Sequence, residues 1–538
     1  MKFFIFLLFC ALCIVNNTFA QAPTIQWQKC VGGSRYDVFF CIIQTTDGGY
    51  IAAGNTESND GDVSGNHDTT GNTNDAWVVK FDSIGNIKWQ KCYGGSLFDS
   101  FFSIIQTIDG GYIAAGGTAS TDGDVIGGGY HGGGDVWVVK LDTGGHIKWQ
   151  KCYGGSSDEG ANSIQQTSDS GYIIVGRTES NDGEVTGFHQ GCCAGIYDSW
   201  VIKIDSIGHL QWQKCLGGTS DDEGYDIQQT YDSGYIIANH TSSIDGDVTC
   251  TSSLLPDPYW LVKLNSYGAI QWQKCLGGSG GQIPESVRQT TDSGYILGSS
   301  TNSDDGNVSG LHGPTGGNPD IWIVKTDRAA NLQHQRCLGG FDIDYGACVR
   351  QTKDSGYIVI GEPRSTDGDV TGNHGIYDAW VVKLDTALNI EWQKCFGGSL
   401  EDENTFIEQT KDGGYIFVAY TNSNDGDVSG NHGGGDGWVV KLSREDVGVN
   451  ELASSKEKFI ISPNPIVSEE LNLTYSQLTE QAIVSIFNID CKEVARLTPA
   501  LSKGEGEIHL KLPELASGMY FVVLHSGERR MTGRFVKQ

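Results

Sequence analysis

The chain has 538 residues, with 66 Asp or Glu against 36 Lys or Arg, and a formal net charge of −30. This acidity disfavours nucleic acid and anionic membrane surfaces as partners, because both repel a negatively charged protein. The length also excludes a single hydrophobic core, since domains usually contain about 50 to 250 residues.

Residues 1–20 have the pattern of a secretory signal peptide. Lys2 precedes an apolar run from Phe3 to Val15, and Ala20 provides a small residue for cleavage. This run is too short to span a bilayer, and no later stretch approaches the roughly 20 apolar residues that spanning needs. We therefore expect an exported chain without a transmembrane segment.

A repeat containing the motif WQKC fills residues 21–445. Aligned on this motif, seven copies begin at residues 25, 87, 147, 210, 270, 332 and 390, with spacings of 62, 60, 63, 60, 62 and 58. Each copy has four short segments rich in Val, Ile, Tyr and Trp between Gly and Asp turns, which predicts four strands. The fold class expected from such repeats is all-β, a seven-bladed β-propeller.

The first WQKC segment, Ile25 to Cys30, predicts how the ring closes. If the strand ending near Gln44 is innermost, each later WQKC strand is the outer strand of the preceding blade, and the seventh blade lacks one. The N-terminal strand would supply it and remove an exposed sheet edge. This order places the loop between the second and third strands on the same face as the blade-to-blade crossover.

The repeat has a recognisable form, as in "WVIKIDSIGHLQWQKCLGGTSDDEGYDIQQTYDSGYIIAN" at residues 200–239. This pattern resembles the β-propeller repeats of secreted bacterial proteins, and the resemblance extends from residue 25 to about 443. It implies a propeller and no particular activity.

The composition changes after residue 445. Residues 446–458 form a polar linker, and residues 459–538 are similar to the type A sorting domain of the type IX secretion system, a Bacteroidota pathway. Cys491 stands where a turn glycine is usual. The residues that carry the similarity are Pro463, Asn464, Pro465, Gly518, Tyr520 and Lys537.

This resemblance implies a small C-terminal β-sandwich and the type IX machinery as a partner. It also implies a location at the outer-membrane surface or outside the cell, with the sorting domain usually cleaved and the cargo released or anchored to surface lipopolysaccharide. From residue 455 onward 10 basic residues balance 10 acidic ones, so the whole excess of acid lies upstream of residue 455.

An acidic loop recurs between the second and third strands of each copy. Its acid pairs are Asp60/Asp62, Asp122/Asp124, Asp182/Glu184, Asp245/Asp247, Asp305/Asn307, Asp367/Asp369 and Asp425/Asp427. A histidine follows in six copies, at His67, His131, His189, His312, His374 and His432.

Two interpretations of these loops stand. Two carboxylates one residue apart could ligate Ca²⁺, the cofactor this interpretation implies, and the histidine would shift the preference toward Zn²⁺. Alternatively, each loop is an Asp-Gly turn whose carboxylate accepts backbone N–H bonds. We favour the structural interpretation, because a repeated fold needs its turn in every copy and the spacing is not that of an EF-hand.

A second acidic position lies in the crossovers and is occupied by Asp37, Asp99, Glu159, Asp222, Asp344 and Asp402, with Gln282 breaking the series. We expect these side chains to cap backbone groups and not to act as catalytic pairs. The tryptophans, two per copy except where His334 replaces one, are expected to pack inside the blades.

One cysteine recurs in every copy. Disulfides need Cα atoms within about 7 Å, whereas packed sheets lie about 10 Å apart, so equivalent cysteines of neighbouring blades should stay buried free thiols. Cys192, Cys193 and Cys250 lie in corresponding loops of adjacent copies and could pair with one another in an oxidising location. The recurring set is Cys30, Cys92, Cys152, Cys215, Cys275, Cys337 and Cys395.

The copies differ most at residues 190–198, 250–260 and 281–286, which predicts a binding edge on the third to fifth blades. The favoured function is a non-enzymatic module that binds a glycan or protein through its acidic face. The alternative is a secreted polysaccharide hydrolase or lyase that would use a pair of rim carboxylates roughly 5 to 10 Å apart. A purely structural role in a surface layer is a third hypothesis.

Overall fold

The computed structural model describes residues 22–68, 73–189, 195–250, 255, 257–445, 460–462, 470–478, 483–488, 492–497, 504–526 and 529–537. The predicted signal peptide and linker lie outside these residues. Internal contacts separate the unit Phe19–Asp446 from a second unit that contains Val447–Gln538. Among the described residues, none of the helices has the length and apolarity that a membrane crossing requires.

The first unit is built from short antiparallel strands and one 3₁₀ helix, Gly123–Val125. In chain order the strands are β1 (Ile25–Val31), β2 (Asp37–Gln44), β3 (Tyr50–Thr56), β4 (Asp75–Phe81), β5 (Ile87–Tyr93), β6 (Asp99–Gln106), β7 (Tyr112–Thr118), β8 (Asp135–Leu141), β9 (Ile147–Tyr153), β10 (Glu159–Gln166), β11 (Tyr172–Thr178), β12 (Asp198–Ile204), β13 (Leu210–Leu216), β14 (Asp222–Gln229), β15 (Tyr235–Thr241), β16 (Tyr259–Leu264), β17 (Ile270–Leu276), β18 (Gln282–Gln289), β19 (Tyr295–Thr301), β20 (Asp320–Thr326), β21 (Leu332–Leu338), β22 (Asp344–Gln351), β23 (Tyr357–Pro363), β24 (Ala379–Leu384), β25 (Ile390–Phe396), β26 (Asp402–Gln409), β27 (Tyr415–Thr421) and β28 (Asp436–Leu442).

The described part of this unit contains seven four-stranded sheets. Sheet 1 is β2–β5, sheet 2 is β6–β9, sheet 3 is β10–β13, sheet 4 is β14–β17, sheet 5 is β18–β21 and sheet 6 is β22–β25, while sheet 7 combines β26–β28 with β1. We call the contact between consecutive sheets a seam, so seam 1/2 lies between sheets 1 and 2. The all-β propeller predicted from the repeats is confirmed.

The two middle strands of each sheet are buried on both faces. In sheet 1 every residue of β4 is buried, and in β3 all but Asn55 are. Neighbouring sheets cover both faces, so these strands are continuous apolar runs. The outer strand is buried only at its end, as Cys92 and Tyr93 show in β5.

A repeated side-chain bond shows that the ring is closed. At each seam a glutamine at the end of the first strand accepts an N–H bond from the hairpin turn of the preceding sheet. The donors and acceptors are Thr46/Gln106, Ile108/Gln166, Ser168/Gln229, Tyr231/Gln289, Thr291/Gln351, Lys353/Gln409 and Lys411/Gln44. The last pair joins sheet 7 to sheet 1, at 2.8 Å.

The N-terminal strand completes sheet 7, as predicted. Strand β1 pairs with β28 in antiparallel register, with Cys30 opposite Trp438. The indole N–H of Trp438 donates to Gln28 Oε1 at 2.7 Å, and Trp77 makes the same bond to Gln90 within sheet 1. Strand β1 therefore occupies the outer position that each WQKC strand holds in its own sheet.

The second unit contains β29 (Ile460–Ser462), β30 (Glu470–Leu478), β31 (Ile483–Asn488), β32 (Glu493–Leu497), β33 (Gly504–Lys511), β34 (Gly518–Ser526) and β35 (Arg529–Lys537). Its described strands form one sheet in the order β29-β30-β33 and another in the order β32-β31-β34-β35. Leu471 and Leu473 of the first sheet share one core with Ile486 and Phe535 of the second. This is the two-sheet sandwich expected for the C-terminal part.

Candidate functional site

The first acid of each acidic loop caps the crossover that enters its sheet. Asp60 Oδ1 accepts the N–H of Ser34 at 2.8 Å, and this backbone bond lowers the pKa of the exposed Asp60 carboxyl. Equivalent bonds of 2.6–2.8 Å occur in the other six sheets, to Asp122, Asp182, Asp245, Asp305, Asp367 and Asp425. The bond places the loop and the crossover together on one side of the ring, which we call the loop face.

The second acid faces a histidine of the preceding sheet at five seams. His131 Nε2 lies 3.2 Å from Glu184, and His67 Nε2 lies 3.8 Å from Asp124. The same arrangement, at 3.8–4.0 Å, joins His189 to Asp247, His312 to Asp369 and His432 to Asp62. These histidines therefore bridge neighbouring sheets.

Asp427 departs from this arrangement at seam 6/7. Among the described residues, His374 Nδ1 lies 2.8 Å from Asp378 Oδ2 of its own sheet, and no ion pair joins it to Asp427. The backbone N–H of Asp427 donates to Gly397 O at 2.8 Å, so the loop still rests on the crossover. Burial raises the pKa of Asp378, and the negative charge of Asp427 adds to this rise. Asp427 therefore acts on this seam through its backbone and its charge.

Each histidine is held by a buried aspartate that the sequence interpretation missed. In sheet 7, Asp436 Oδ2 accepts the backbone N–H of His432 at 3.1 Å and contacts its Nδ1 at 2.6 Å. The recurring pattern Asp-x-Trp at the start of the third strand was the available signal. The six aspartates, all 0% exposed, are Asp75, Asp135, Asp198, Asp320, Asp378 and Asp436.

The crossover acids are also buried and accept several bonds each. Asp37 Oδ2 accepts the N–H of Gly33 at 2.7 Å and the hydroxyl of Ser58 at 2.8 Å, while Oδ1 accepts the hydroxyl of Thr56. These bonds tie the crossover to the end of β3. This geometry holds the strand entrances in place.

The structure does not bring the predicted Ca²⁺ residues together as a ligand set. The two acids of a loop turn toward different neighbours, the first toward a backbone N–H and the second, at five seams, toward a histidine. Within the ranges that the structure describes, no group of three or more His, Cys, Asp or Glu side chains is placed to hold a metal ion. This finding applies to Asp60, Asp62, Asp122, Asp124, Asp182, Glu184, Asp245, Asp247, Asp305, Asp367, Asp369, Asp425 and Asp427. The geometry favours the structural interpretation, and the Ca²⁺ site stays a prediction.

We expect the melting temperature of the full chain to be unchanged by Ca²⁺, Zn²⁺ or EDTA, because most of the loop carboxylates already contact protein groups. The measurement is thermal unfolding followed by circular dichroism with each addition. An upward shift with Ca²⁺ that EDTA reverses would establish the metal site, since a ligand that binds only the folded state stabilises it.

The cysteine prediction is wrong at one position. Cys275 is not a free thiol but forms a disulfide with Cys250, with Cα atoms 5.4 Å apart. The prediction considered only cysteines of neighbouring sheets, whereas the acidic loop of the same sheet lies over this residue. Sheet 1 has the same arrangement, because the Cys92 thiol contacts the carbonyl oxygen of Ser64 in its acidic loop. Cys192 and Cys193 lie outside the described residues, and the described free and buried members of the recurring set are Cys30, Cys92, Cys152, Cys215, Cys337 and Cys395.

Side chains at the mouth of the central channel differ from copy to copy. In every sheet, the second residue of the first strand pairs with the sixth residue of the second strand. These paired residues lie at the ends of the two strands that are nearest the loop face. The pairs are Val38/Asn55, Ser100/Gly117, Gly160/Arg177, Glu223/His240, Ile283/Ser300, Tyr345/Glu362 and Glu403/Tyr420. The framework around these positions repeats, whereas the residues at these positions do not.

Aromatic side chains collect on sheets 7, 1 and 2. The rings of Tyr36 and Tyr420 lie 4.9 Å apart, and those of Phe40 and Phe102 lie 4.8 Å apart. Phe98, in the crossover into sheet 2, is 57% exposed. We call these five residues the aromatic arc.

Glutamates occupy the mouth on sheets 5 to 7. In the described part of the chain, no Lys, Arg or His forms an ion pair with Glu285, Glu362 or Glu403. Burial, with the charges of Glu403 and Glu285, raises the pKa of Glu362 to about 8. By contrast, Glu223 has a partner, because Arg177 lies 3.2 Å away.

The binding edge predicted from insertions is described only in part. Residues 190–194, 251–254 and 256 lie outside the described residues, while Ile283 and Glu285 of the third insertion are exposed residues of β18, the first strand of sheet 5. The aromatic arc lies on the opposite part of the ring and was not found from the sequence. Its signal was the variation at strand ends, which contain no insertion.

The sorting residues are also described in part. Pro463, Asn464 and Pro465 lie outside the described residues. Gly518 pairs with Lys537 at the ends of β34 and β35. Tyr520 is buried, stacks on Phe535 at 5.6 Å and donates its hydroxyl to Ala516 O at 2.9 Å.

The fold and the geometry of the loop face define the first unit as a β-propeller, and the chain continues into a second unit of two β-sheets. The profile of the secretion system C-terminal sorting domain family matches residues 460–538, so this end of the chain is a sorting domain. Such a domain indicates export by the type IX system to the cell surface or the extracellular space.

Similar solved structures include PorZ, a surface component of the type IX secretion system of Porphyromonas gingivalis, at 12% identity and a TM-score of 0.39. The match covers 96% of this chain, which spans 61% of the length of PorZ. Another is the WD40 domain of Pan2 from Neurospora crassa, at 10% identity and a TM-score of 0.43, covering 78% of this chain and 96% of that domain. No curated protein matches the chain.

Proposed function

We propose that this protein is an exported β-propeller that binds a glycan or a protein partner, without catalysis, through the channel mouth of its loop face. The observation that supports this function is the exposed aromatic arc beside glutamates that have no ion-pair partner in the described residues. These groups occupy positions that vary while the surrounding bonds repeat in nearly every sheet. Exposed apolar patches with polar rims mark interaction sites.

The chemistry of the mouth restricts the partner. Aromatic rings offer large apolar contact area, and the hydroxyls of Tyr36 and Tyr420 add a polar handle. The glutamates and the net charge of −30 repel anionic ligands. The best-matched partners are a neutral or amine-bearing glycan, or a basic protein segment.

The sorting domain supports the proposed route. It makes the type IX machinery a partner during export, and the released or lipopolysaccharide-anchored propeller would then present its loop face to the medium. A catalytic role for rim carboxylates is the competing proposal, and it requires turnover of a polymer.

We expect Phe98→Ala to weaken ligand binding by at least about tenfold, because truncating a central aromatic anchor commonly costs about 1 to 2 kcal/mol or more. The ligand is first found by testing the full chain on an array of neutral, amine-bearing and anionic glycans together with basic peptides. Tyr267→Ala is the matched control, since Tyr267 is 85% exposed in a hairpin turn of the opposite face.

Equal losses in both variants, or none in either, would contradict the proposed face. Release of reducing ends or unsaturated products from any bound glycan would contradict the non-enzymatic proposal and support a hydrolase or lyase.

A further inference from the structure

Two buried carboxyl groups meet at seam 7/1, where the chain ends are joined. Asp436 opens β28, and Asp37 opens β2 in the next sheet; both are 0% exposed. A Cβ placed on Gly32 would lie 2.7 Å from Asp37 Oδ2 and 2.7 Å from Asp436 Oδ1, so the two oxygens flank the same glycine. Only glycine leaves room for this approach.

The bonding of the two groups is unequal. Asp37 already accepts bonds from Gly33, Ser58 and Thr56. Asp436 Oδ2 is bonded to His432, but Asp436 Oδ1 has no hydrogen-bond partner among the described residues. A buried carboxylate oxygen without a donor is unfavourable, and a second carboxylate beside it adds repulsion.

The same pairing recurs around the ring. Gly397 is flanked by Asp378 Oδ1 and Asp402 Oδ2, and Gly154 by Asp135 Oδ1 and Glu159 Oε2. In all six pairs the aspartate before the tryptophan has an Oδ1 atom without a described partner. The pairs are Asp75/Asp99, Asp135/Glu159, Asp198/Asp222, Asp320/Asp344, Asp378/Asp402 and Asp436/Asp37.

Seam 4/5 is an internal exception that supports the pairing. Pro258 stands where the buried aspartate would be, and Gln282 replaces the crossover acid. The bridging histidine is missing from sheet 4, and Asn307 replaces the acid that would face it. Because both carboxyl groups are lost at the same seam, we interpret them as one unit.

We propose that each of these six seams holds one proton between its two buried carboxyl groups, and that this proton fastens adjacent sheets. At seam 7/1 the proton resides on Asp436 Oδ1 and is donated to Asp37 Oδ2. The only bond that forms or breaks is the O–H bond of this carboxyl group; the proton comes from solvent and returns there when the pair ionises. Such a pair titrates as a unit, as two carboxyls sharing one site do.

The pKa shifts agree with this arrangement. Burial, reinforced by the neighbouring carboxylate, raises the pKa of Asp436 and of Asp75 to about 6. Their ordinary value is near 4. The folded chain therefore keeps a proton that the unfolded chain releases between about pH 4 and pH 6, so the stabilisation is complete below pH 4 and is lost as the pH rises through about 6.

Other groups facing the pair do not reverse this sign. Burial raises the pKa of Asp436 by more than the hydrogen bonds and charge of His432 lower it, so the net shift is upward. Burial raises the pKa of the Cys30 thiol to about 12 and also raises that of the Tyr420 hydroxyl, so both stay neutral in this window. Negative charge nearby would favour retention of the proton. The groups that face the pair are His432 and Tyr420 of sheet 7, Cys30 of β1, and Glu57, Asp62 and Cys92 of sheet 1.

The test is Asp436→Asn in the full chain, with unfolding by denaturant measured from pH 4 to pH 8 in EDTA. Between pH 4 and pH 6, each proton that only the folded state retains raises the unfolding equilibrium constant tenfold for each unit by which the pH rises. The amide can donate to Asp37 at every pH, so the variant should lose one such tenfold dependence between pH 4 and pH 6 and be at least as stable as wild type at pH 8. The control is Asp62→Asn, which alters seam 7/1 outside the pair and introduces the residue that sheet 5 has at the equivalent position, Asn307. This variant should keep the wild-type pH dependence.

A second measurement uses wild-type protein, so that a variant that does not fold leaves the proposal testable. Infrared spectra at pH 5 should contain the C=O stretch of protonated carboxyl groups that are slow to exchange with deuterium. The intensity from the six pairs should be lost by pH 7, while Glu362, whose pKa burial raises to about 8, keeps its share. Absence of this band, or an unchanged pH dependence in a folded Asp436→Asn variant, would overturn the proposal. Stability that depends on a divalent cation and disappears in EDTA would also overturn it, because the pair would then hold a metal.

Discussion

The free energy of unfolding of a chain that begins at Gly32 should be lower than that of a chain that begins at Ala22 by at least about 4 kcal/mol. The shorter chain should also no longer unfold in one cooperative transition. Removing β1 exposes the edge of β28 and deletes Val31, which is fully buried. Burial of one such side chain contributes about 1.5 to 3 kcal/mol. The loss of the backbone bonds across six paired residues adds to this. The measurement is urea unfolding followed by tryptophan fluorescence.

The control for this truncation is a synthetic peptide that spans residues 22–31. Added in excess, it should pair with β28 and restore most of the lost stability in a concentration-dependent way, because it binds only the folded ring. If the chain from Gly32 unfolds at the same urea concentration as the chain from Ala22, closure by β1 does not stabilise the ring.

The second large effect is expected for Trp137→Ala, which should lower the free energy of unfolding by about 3 to 5 kcal/mol. Trp137 is 0% exposed, and its ring stacks on Phe101 at 5.1 Å. Its indole N–H donates to Gln150 Oε1 at 2.8 Å, so the substitution creates a cavity and also removes a donor from Gln150. Denaturant unfolding measures the difference.

The matched control is Trp149→Ala in the outer strand of the same sheet. Trp149 is only partly buried and contacts the ring of Tyr172 at 6.4 Å. We expect a loss of less than half that of Trp137→Ala. Similar losses in the two variants would contradict the assignment of the second tryptophan of each copy to the core.

The strands and the closure were predictable because their signals are local and repeated. Continuous apolar runs such as β4 indicate strands covered on both faces, and the surplus WQKC segment indicates an outer strand at the N-terminus. The sorting domain was predictable for a similar reason, since residues such as Gly518 and Tyr520 lie at recognisable places in a short chain segment.

The disulfide was predicted wrongly because spacing in sequence does not report which loop lies over which strand. Cys250 lies 25 residues before Cys275, and only the path of the acidic loop brings their Cα atoms to 5.4 Å. The aromatic arc was missed for a related reason. Tyr36 and Tyr420 are 384 residues apart and meet only because the ring closes.

By itself, the sequence determined the all-β class, the four-strand unit, the closing strand and the sorting domain, because each is signalled by a pattern within one repeat or one short motif. Only the tertiary structure decided which carboxylates are exposed, which accept backbone bonds and which meet another carboxyl across a seam. Asp60 and Asp436 are both aspartates in loop-like sequence, yet one is capped at the surface and the other is fully buried beside Asp37. The physical reason is that burial and the distance between charges, which set the protonation of an acid, arise from packing one sheet against the next.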